Sequence, residues 1–159
     1  MSPGDGPGPR PESGDRREAP ITLAFETFLA APPERVFAAL TEARHLERWF
    51  CDRAVSEPRA GGRLVLGWTR PGASPEAYEG RWLGFEPARA CSFAGGHAGY
   101  PGGDAGRIDH ALEPAPGGTR LVTRHAFPGA PEYDAIARRY REAWPRALSR
   151  LAACLGDAG

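Results

Sequence analysis

Between residues 21 and 30 the chain alternates: Ile21, Leu23, Phe25, Thr27 and Leu29 fall on one side of an extended backbone, and a period of two predicts a strand. Pro32 and Pro33 stop it, and Pro33 suits the first position of a helix because its φ is already fixed there. Val36, Phe37 and Leu40 then recur at helical spacing. Thr41 is the expected cap of a second short helix, although Arg44 and not Glu stands at the capping-box distance. The stretch "ERVFAALTEARHLERWF" closes on Trp49 and Phe50. Neighbouring residues cannot share one helix face, so the chain is expected to turn there and bury the two rings in different directions.

From Val55 onward strand patterns alternate with Gly and Pro. "GGRLVLGW" puts Leu64, Leu66 and Trp68 on one face, and "YEGRWLGFEP" and "CSFAGG" follow with turn residues between them. Residues 94 to 106 are glycine-rich and predict a mobile loop. "RIDHALEPAPGGTRLVTRHAF" predicts a hairpin. From 132 to 155, Tyr133, Ile136, Tyr140, Ala143, Trp144, Ala147, Leu148, Leu151 and Leu155 line one face of a long helix. Arg138, Arg139, Arg141, Glu142, Arg146 and Arg150 occupy the remainder, read as a solvated face. Pro145 removes a hydrogen bond to the Arg141 carbonyl, which predicts a kink or a break.

Composition sharpens the picture. In 159 residues, 41% hydrophobic content supports one core, assigned to residues 20–155. Residues 1–19, "MSPGDGPGPRPESGDRREA", have almost nothing to bury and are expected to be a disordered tail. Twenty basic residues, all arginine, balance twenty acidic ones, so no net field draws the molecule to nucleic acid or an anionic membrane. Cys51, Cys91 and Cys154 lack C-x-x-C spacing, which argues against a disulfide framework or a zinc site and for a reducing cytoplasm. No apolar run is long enough for a membrane span, nor is there a signal-peptide core.

The order is one strand, two short helices, a run of antiparallel strands and one long amphipathic helix. Only that helix is long enough to close the apolar face of the sheet, and a strongly curved sheet gripping it leaves space between them. In "APPERVFAALTEARHLERWF", "GGRLVLGW", "GRWLGFEPARACSF", "GGTRLVTRHAF" and "AWPRALSRLAACL", taken in this order, the chain resembles the activator of heat-shock-protein ATPase homologue branch of the SRPBCC (START-like) superfamily. Ala143 stands where that branch usually has Gly before the helix tryptophan. The resemblance implies an α+β helix-grip fold, with six or seven strands wrapped around the C-terminal helix. It also implies a broad function: relatives bind lipids, hydrophobic metabolites or polyketides, some are cyclases, and the eukaryotic branch stimulates a chaperone's ATPase.

If Gly117 and Gly118 form a two-residue turn, His110 lies directly opposite His125 on the inward face, at the roughly 5 Å of cross-strand neighbours. Four readings of this pair stay open: a core pair bonded to Thr123, water or backbone; a polar anchor for a ligand; a general acid or base with a depressed pKa; and a metal site, for which a third ligand is lacking. Trp68, Tyr78, Trp82, Tyr140 and Trp144 are candidates either for cavity lining or for ordinary core. Tyr78 and Trp82 share a strand face, and Tyr140 and Trp144 a helix face. His45 and His97 are expected to be exposed, and Cys51 a buried, unreactive thiol. There is no phosphate-binding loop or nucleophile elbow. The expected partner is a small hydrophobic molecule bound without cofactor or metal. The alternatives are a polyketide cyclase-like enzyme using the histidines, and a chaperone-activator-like protein with a protein partner.

Overall fold

The computed structural model describes residues 19–69, 71–72, 76–97 and 99–158. The expected tail lies outside the described residues except for Ala19. The first strand, β1 (Ile21–Leu29), is followed by helices α1 (Pro33–Thr41) and α2 (Ala43–Trp49). Six strands come next: β2 (Arg53–Ser56), β3 (Arg63–Trp68), β4 (Glu76–Glu86), β5 (Ala90–Gly96), β6 (Arg107–Ala115) and β7 (Gly118–Phe127). A long helix, α3 (Asp134–Ala158), follows a tight turn at Pro131–Tyr133.

The seven strands form one antiparallel sheet in the order β1-β7-β6-β5-β4-β3-β2. A register slip between Trp82 and Phe85 bends β4 against β5, as an extra unpaired residue does in a strand. The inner face carries Leu23, Leu64, Leu66, Trp82, Phe93, Ile108, Leu121 and Phe127, all buried. Against it α3 presents Ala137, Trp144, Ala147, Leu148, Leu151 and Leu155. Full burial of each large side chain in such a contact stabilises by about 1.5–3 kcal/mol. The fold is therefore the α+β helix-grip, with two short helices after the first strand.

Pro33 opens α1 as expected. Thr41 does not cap α2. It is the last residue of α1, its hydroxyl donates back to the Phe37 carbonyl at 2.8 Å, and Glu42 stands at the helix junction without a side-chain cap bond. Both ends of the helical layer are tied down by arginine: Arg150 Nε donates to the Trp49 carbonyl at 3.0 Å, and Arg35 Nη2 to the Leu155 carbonyl at 3.0 Å. The helix α3 runs unbroken through Pro145. That residue is exposed, so the Arg141 carbonyl left without an amide donor lies on the solvent side.

The β6–β7 hairpin differs from expectation by two residues. Ala115 faces Gly118, so Pro116 and Gly117 make the turn, with Gly117 at φ 80° and proline in the first central position, the pattern of a type II turn. Gly118 is the first residue of β7 and lies close against β1, where only glycine fits: a Cβ there would lie 2.0 Å from the Leu29 carbonyl oxygen. His110 therefore faces Thr123, and His125 faces Ile108. An even slip leaves every side chain on its expected face, and both imidazoles point inward, 3% and 1% exposed.

Candidate functional site: a cavity between sheet and helix

A cavity of about 530 Å³ opens between the sheet and α3. Its wall is made from one side by Trp68 and Tyr78 of β3 and β4, and from the other by Tyr140 and Trp144 of α3, with His125 between them. These five expected residues are brought together. Trp82 and His110 line instead a separate void of about 10 Å³, beneath Leu40, Leu46 and Trp49, room for about one water. Thr123 is fully buried behind them and borders neither space. These three depart from the expected lining because the inner face is wider than the cavity, and α1 and α2 cover its other part.

Phe50 shows how the end of α2 shapes the site. Trp49 and Phe50 do not diverge fully: their ring centroids are 4.8 Å apart. Trp49 is buried and donates its Nε1–H to the Ala39 carbonyl at 2.8 Å. Phe50 follows the last helical turn, stacks on Trp144 at 5.7 Å and meets Trp68 edge-on at 5.7 Å. Trp68 in turn donates its Nε1–H to the Phe50 carbonyl at 2.8 Å. One wall of the cavity is thus an aromatic train in which Trp49 and Trp68 have their N–H groups satisfied by backbone carbonyls.

The histidines are wired into the framework. Trp144 Nε1 can only donate, and it donates to His125 Nδ1 at 3.1 Å. His125 must therefore carry its proton on Nε2, which donates to the Ala105 carbonyl at 2.8 Å. Both ring nitrogens are used, in a neutral imidazole. His110 Nδ1 bonds Thr123 Oγ1 at 2.9 Å. Burial lowers both histidine pKa values to about 4; at His110 the nearby Asp109 opposes this and His125 adds to it, while at His125 the Ala105 carbonyl opposes it.

Three phenols border the cavity: Tyr78, Tyr100 and Tyr140. Tyr100 and Tyr140 share a hydrogen bond between their hydroxyls. Burial, followed by Tyr100, pushes the Tyr140 pKa up, so it stays protonated. Tyr78 is 6% exposed and its hydroxyl has no hydrogen-bond partner among the described residues. Burial, followed by Asp104 and Tyr100, raises its pKa too.

Several lining residues were not legible as such. His97, expected to be exposed, is half-buried at the cavity edge, packed on Tyr100 at 4.1 Å with Nδ1 accepting from the Gly99 amide at 3.1 Å. His45 is half-buried as well, 3.6 Å from Glu42. Part of the glycine-rich segment takes regular structure: β5 extends to Gly96, and the Ala105 amide donates to the Gly95 carbonyl at 2.8 Å. Arg139, Arg146 and Arg150 also border the cavity, with Glu76 the acidic residue among them. Their spacing with Ala143 and Ala147 along one side of α3 was the available signal. Among the described residues no cluster of three His, Cys, Asp or Glu could hold a metal, and no helix is long and apolar enough to cross a membrane.

A curved antiparallel sheet closed by one long helix, with an aromatic cavity between them, defines a helix-grip protein. The chain belongs to the family described as Activator of Hsp90 ATPase homolog 1-like protein, whose pattern matches residues 30–156. Among solved structures it is similar to protein MLL2253 from Mesorhizobium loti, at 22% identity and a TM-score of 0.75 over 87% of this chain and 99% of that one. It is similar also to the Aha1 dimer from Colwellia psychrerythraea, at 16% identity and 0.69 over 85% and 96%. A third is DynU16, a protein of the dynemicin biosynthetic locus, at 19% identity and 0.70 over 85% and 47%. At these identities the likeness shows the fold. The chain matches no curated protein by sequence.

Proposed function

We propose that residues 20–155 act as one domain that binds a small hydrophobic molecule in the cavity between the sheet and α3. The observation that carries this reading is the cavity itself: about 530 Å³, within the ~300–1,000 Å³ of small-molecule sites, with aromatic side chains along its walls. The DynU16 likeness supports looking among polyketide-like ligands. The unpaired cysteines are in keeping with a reducing compartment such as the cytoplasm. A cyclase-type reaction draws no support from His125, whose two nitrogens are both committed, because a general base needs a lone pair facing its substrate.

Native mass spectrometry of the purified protein, followed by a screen of lipids and polyketide-like compounds, tests the proposal. A retained or added small molecule in stoichiometric amount is the expected result. An empty protein that takes up none of the panel, with a reproducible protein partner in a pull-down, would replace it with the chaperone-activator-like reading.

A further inference from the structure

The polar groups of the cavity are not scattered. On the α3 side Arg139, Arg146 and Arg150 border the opening, and all three are exposed. No carboxylate lies within ion-pair distance of them among the described residues, whose ion pairs all involve other arginines or His45. Arg150 is moreover fixed by its Nε bond to the Trp49 carbonyl, which holds the guanidinium beside the opening without using its charge. Among the described residues Glu76 is the one lining acid, so their rim carries net positive charge. Low-dielectric aromatic walls beside such a rim focus its field into the cleft.

Tyr78 is the second, independent observation. The side chain lines the cavity, and its hydroxyl is buried and lacks a partner among the described residues. A buried hydroxyl left unbonded costs free energy, so a ligand acceptor that reached it would be favoured. Tyr100 and Tyr140 add to this donor surface, since two phenols sharing one hydrogen bond leave one O–H hydrogen over.

We infer that the cavity is built for a bipolar ligand: an aromatic or otherwise apolar body with an anionic group at the arginine rim and a carbonyl-type acceptor meeting the Tyr78 hydroxyl. This rests on the proposed ligand-binding function and narrows its ligand class. The anionic group is recognised by guanidinium, which favours carboxylate, sulfonate or phosphate in a forked geometry. The acceptor is recognised by a protonated phenol, which a carbonyl oxygen satisfies and a hydrocarbon does not.

Three naphthalene probes separate the parts. Phenyl-naphthylamine supplies the apolar body alone, anilinonaphthalene sulfonate adds an anion to the same rings, and prodan is a neutral naphthyl ketone. Fluorescence titration of the full chain should show the sulfonate binding about ten-fold tighter than the amine, a preference that an Arg139→Gln/Arg146→Gln double variant and raised salt both reduce, as expected for charge pairs near a surface. Tyr78→Phe should weaken prodan about five-fold, the worth of one neutral hydrogen bond, and leave the amine unchanged. The same variant should melt no lower than the parent, because it removes an unsatisfied group; a merely structural tyrosine would melt lower. If all three probes bind with equal affinity and the variants change nothing, the bipolar assignment is wrong while ligand binding stands. If none binds, both fall.

Discussion

The indole of Trp144 on α3 donates its only hydrogen to Nδ1 of His125 on β7, at 3.1 Å, so the gripped helix and the sheet are joined by a directional bond between two buried rings. Replacing Trp144 with Phe keeps an aromatic ring and removes the donor. His125 Nδ1 would then be a buried acceptor without a partner, which costs about 1–3 kcal/mol, in addition to the packing lost with the smaller ring. Denaturant unfolding should show a loss of at least that size. A variant as stable as the parent would mean the bond contributes nothing.

The same network predicts a pH dependence. Burial holds both His110 and His125 at about 4, below the usual 6.5. Above pH 6.5 both imidazoles are neutral folded or unfolded, and they contribute no slope. Between 6.5 and 4 the unfolded chain takes up protons that the folded one refuses, so stability falls as pH falls. The loss from each imidazole approaches about 3 kcal/mol below pH 4. Urea midpoints measured from pH 8 to 4 should decline mainly through that window, and a double His110→Gln/His125→Gln variant should lose much of the decline.

Gly80 makes room for Tyr78. A Cβ at position 80 would lie 2.4 Å from the Ala94 carbonyl oxygen, and 2.9 and 3.0 Å from the ring and hydroxyl of Tyr78. Gly80 sits opposite Gly95 in the β4–β5 pair. Gly80→Ala must therefore push β5 away as well as turn the phenol. A destabilisation of about 2 kcal/mol or more is expected from overpacking of this kind, with weakened prodan binding where the protein stays folded. Wild-type melting and binding in this variant would show that the contact relaxes freely.

The thiols should divide by exposure. Cys51 and Cys91 are buried, and burial, the largest cause in each, pushes both up to about 12. Thiolate is the reactive form, so neither should react with a disulfide reagent at neutral pH on the time scale of minutes. Cys154 is half-buried and is the one expected to react in the native protein. All three should titrate after unfolding; rapid modification of Cys51 or Cys91 in the folded state would contradict the packing at these positions.

Much of this architecture is written in short-range patterns. Alternation marks β1 and the hairpin strands, and the spacing from Ile136 to Leu155 marks the helix that fills the grip. Parity alone put His110 and His125 on the inner face. Their pairing was another matter, because the Gly117-Gly118 dipeptide reads locally as the turn, whereas Gly118 answers to the Leu29 carbonyl of β1, a contact that no window of neighbouring residues contains. Arg139 and Arg146 read as solvated positions, since nothing in their own segment tells that a cavity opens beside them. Trp82 and His110 read as lining, since nothing in theirs tells that α1 and α2 roof that part of the sheet.

The strand order carries a consequence for how the molecule is made. β1 pairs along its length with β7, Ile21 with Phe127 and Leu29 with Thr119. During synthesis the first strand leaves the ribosome long before its neighbour exists, and its backbone donors and acceptors wait unpaired while five other strands appear. Such late pairing slows folding and exposes sticky intermediates, so β1 is the strand of this sheet whose edge waits longest for its neighbour.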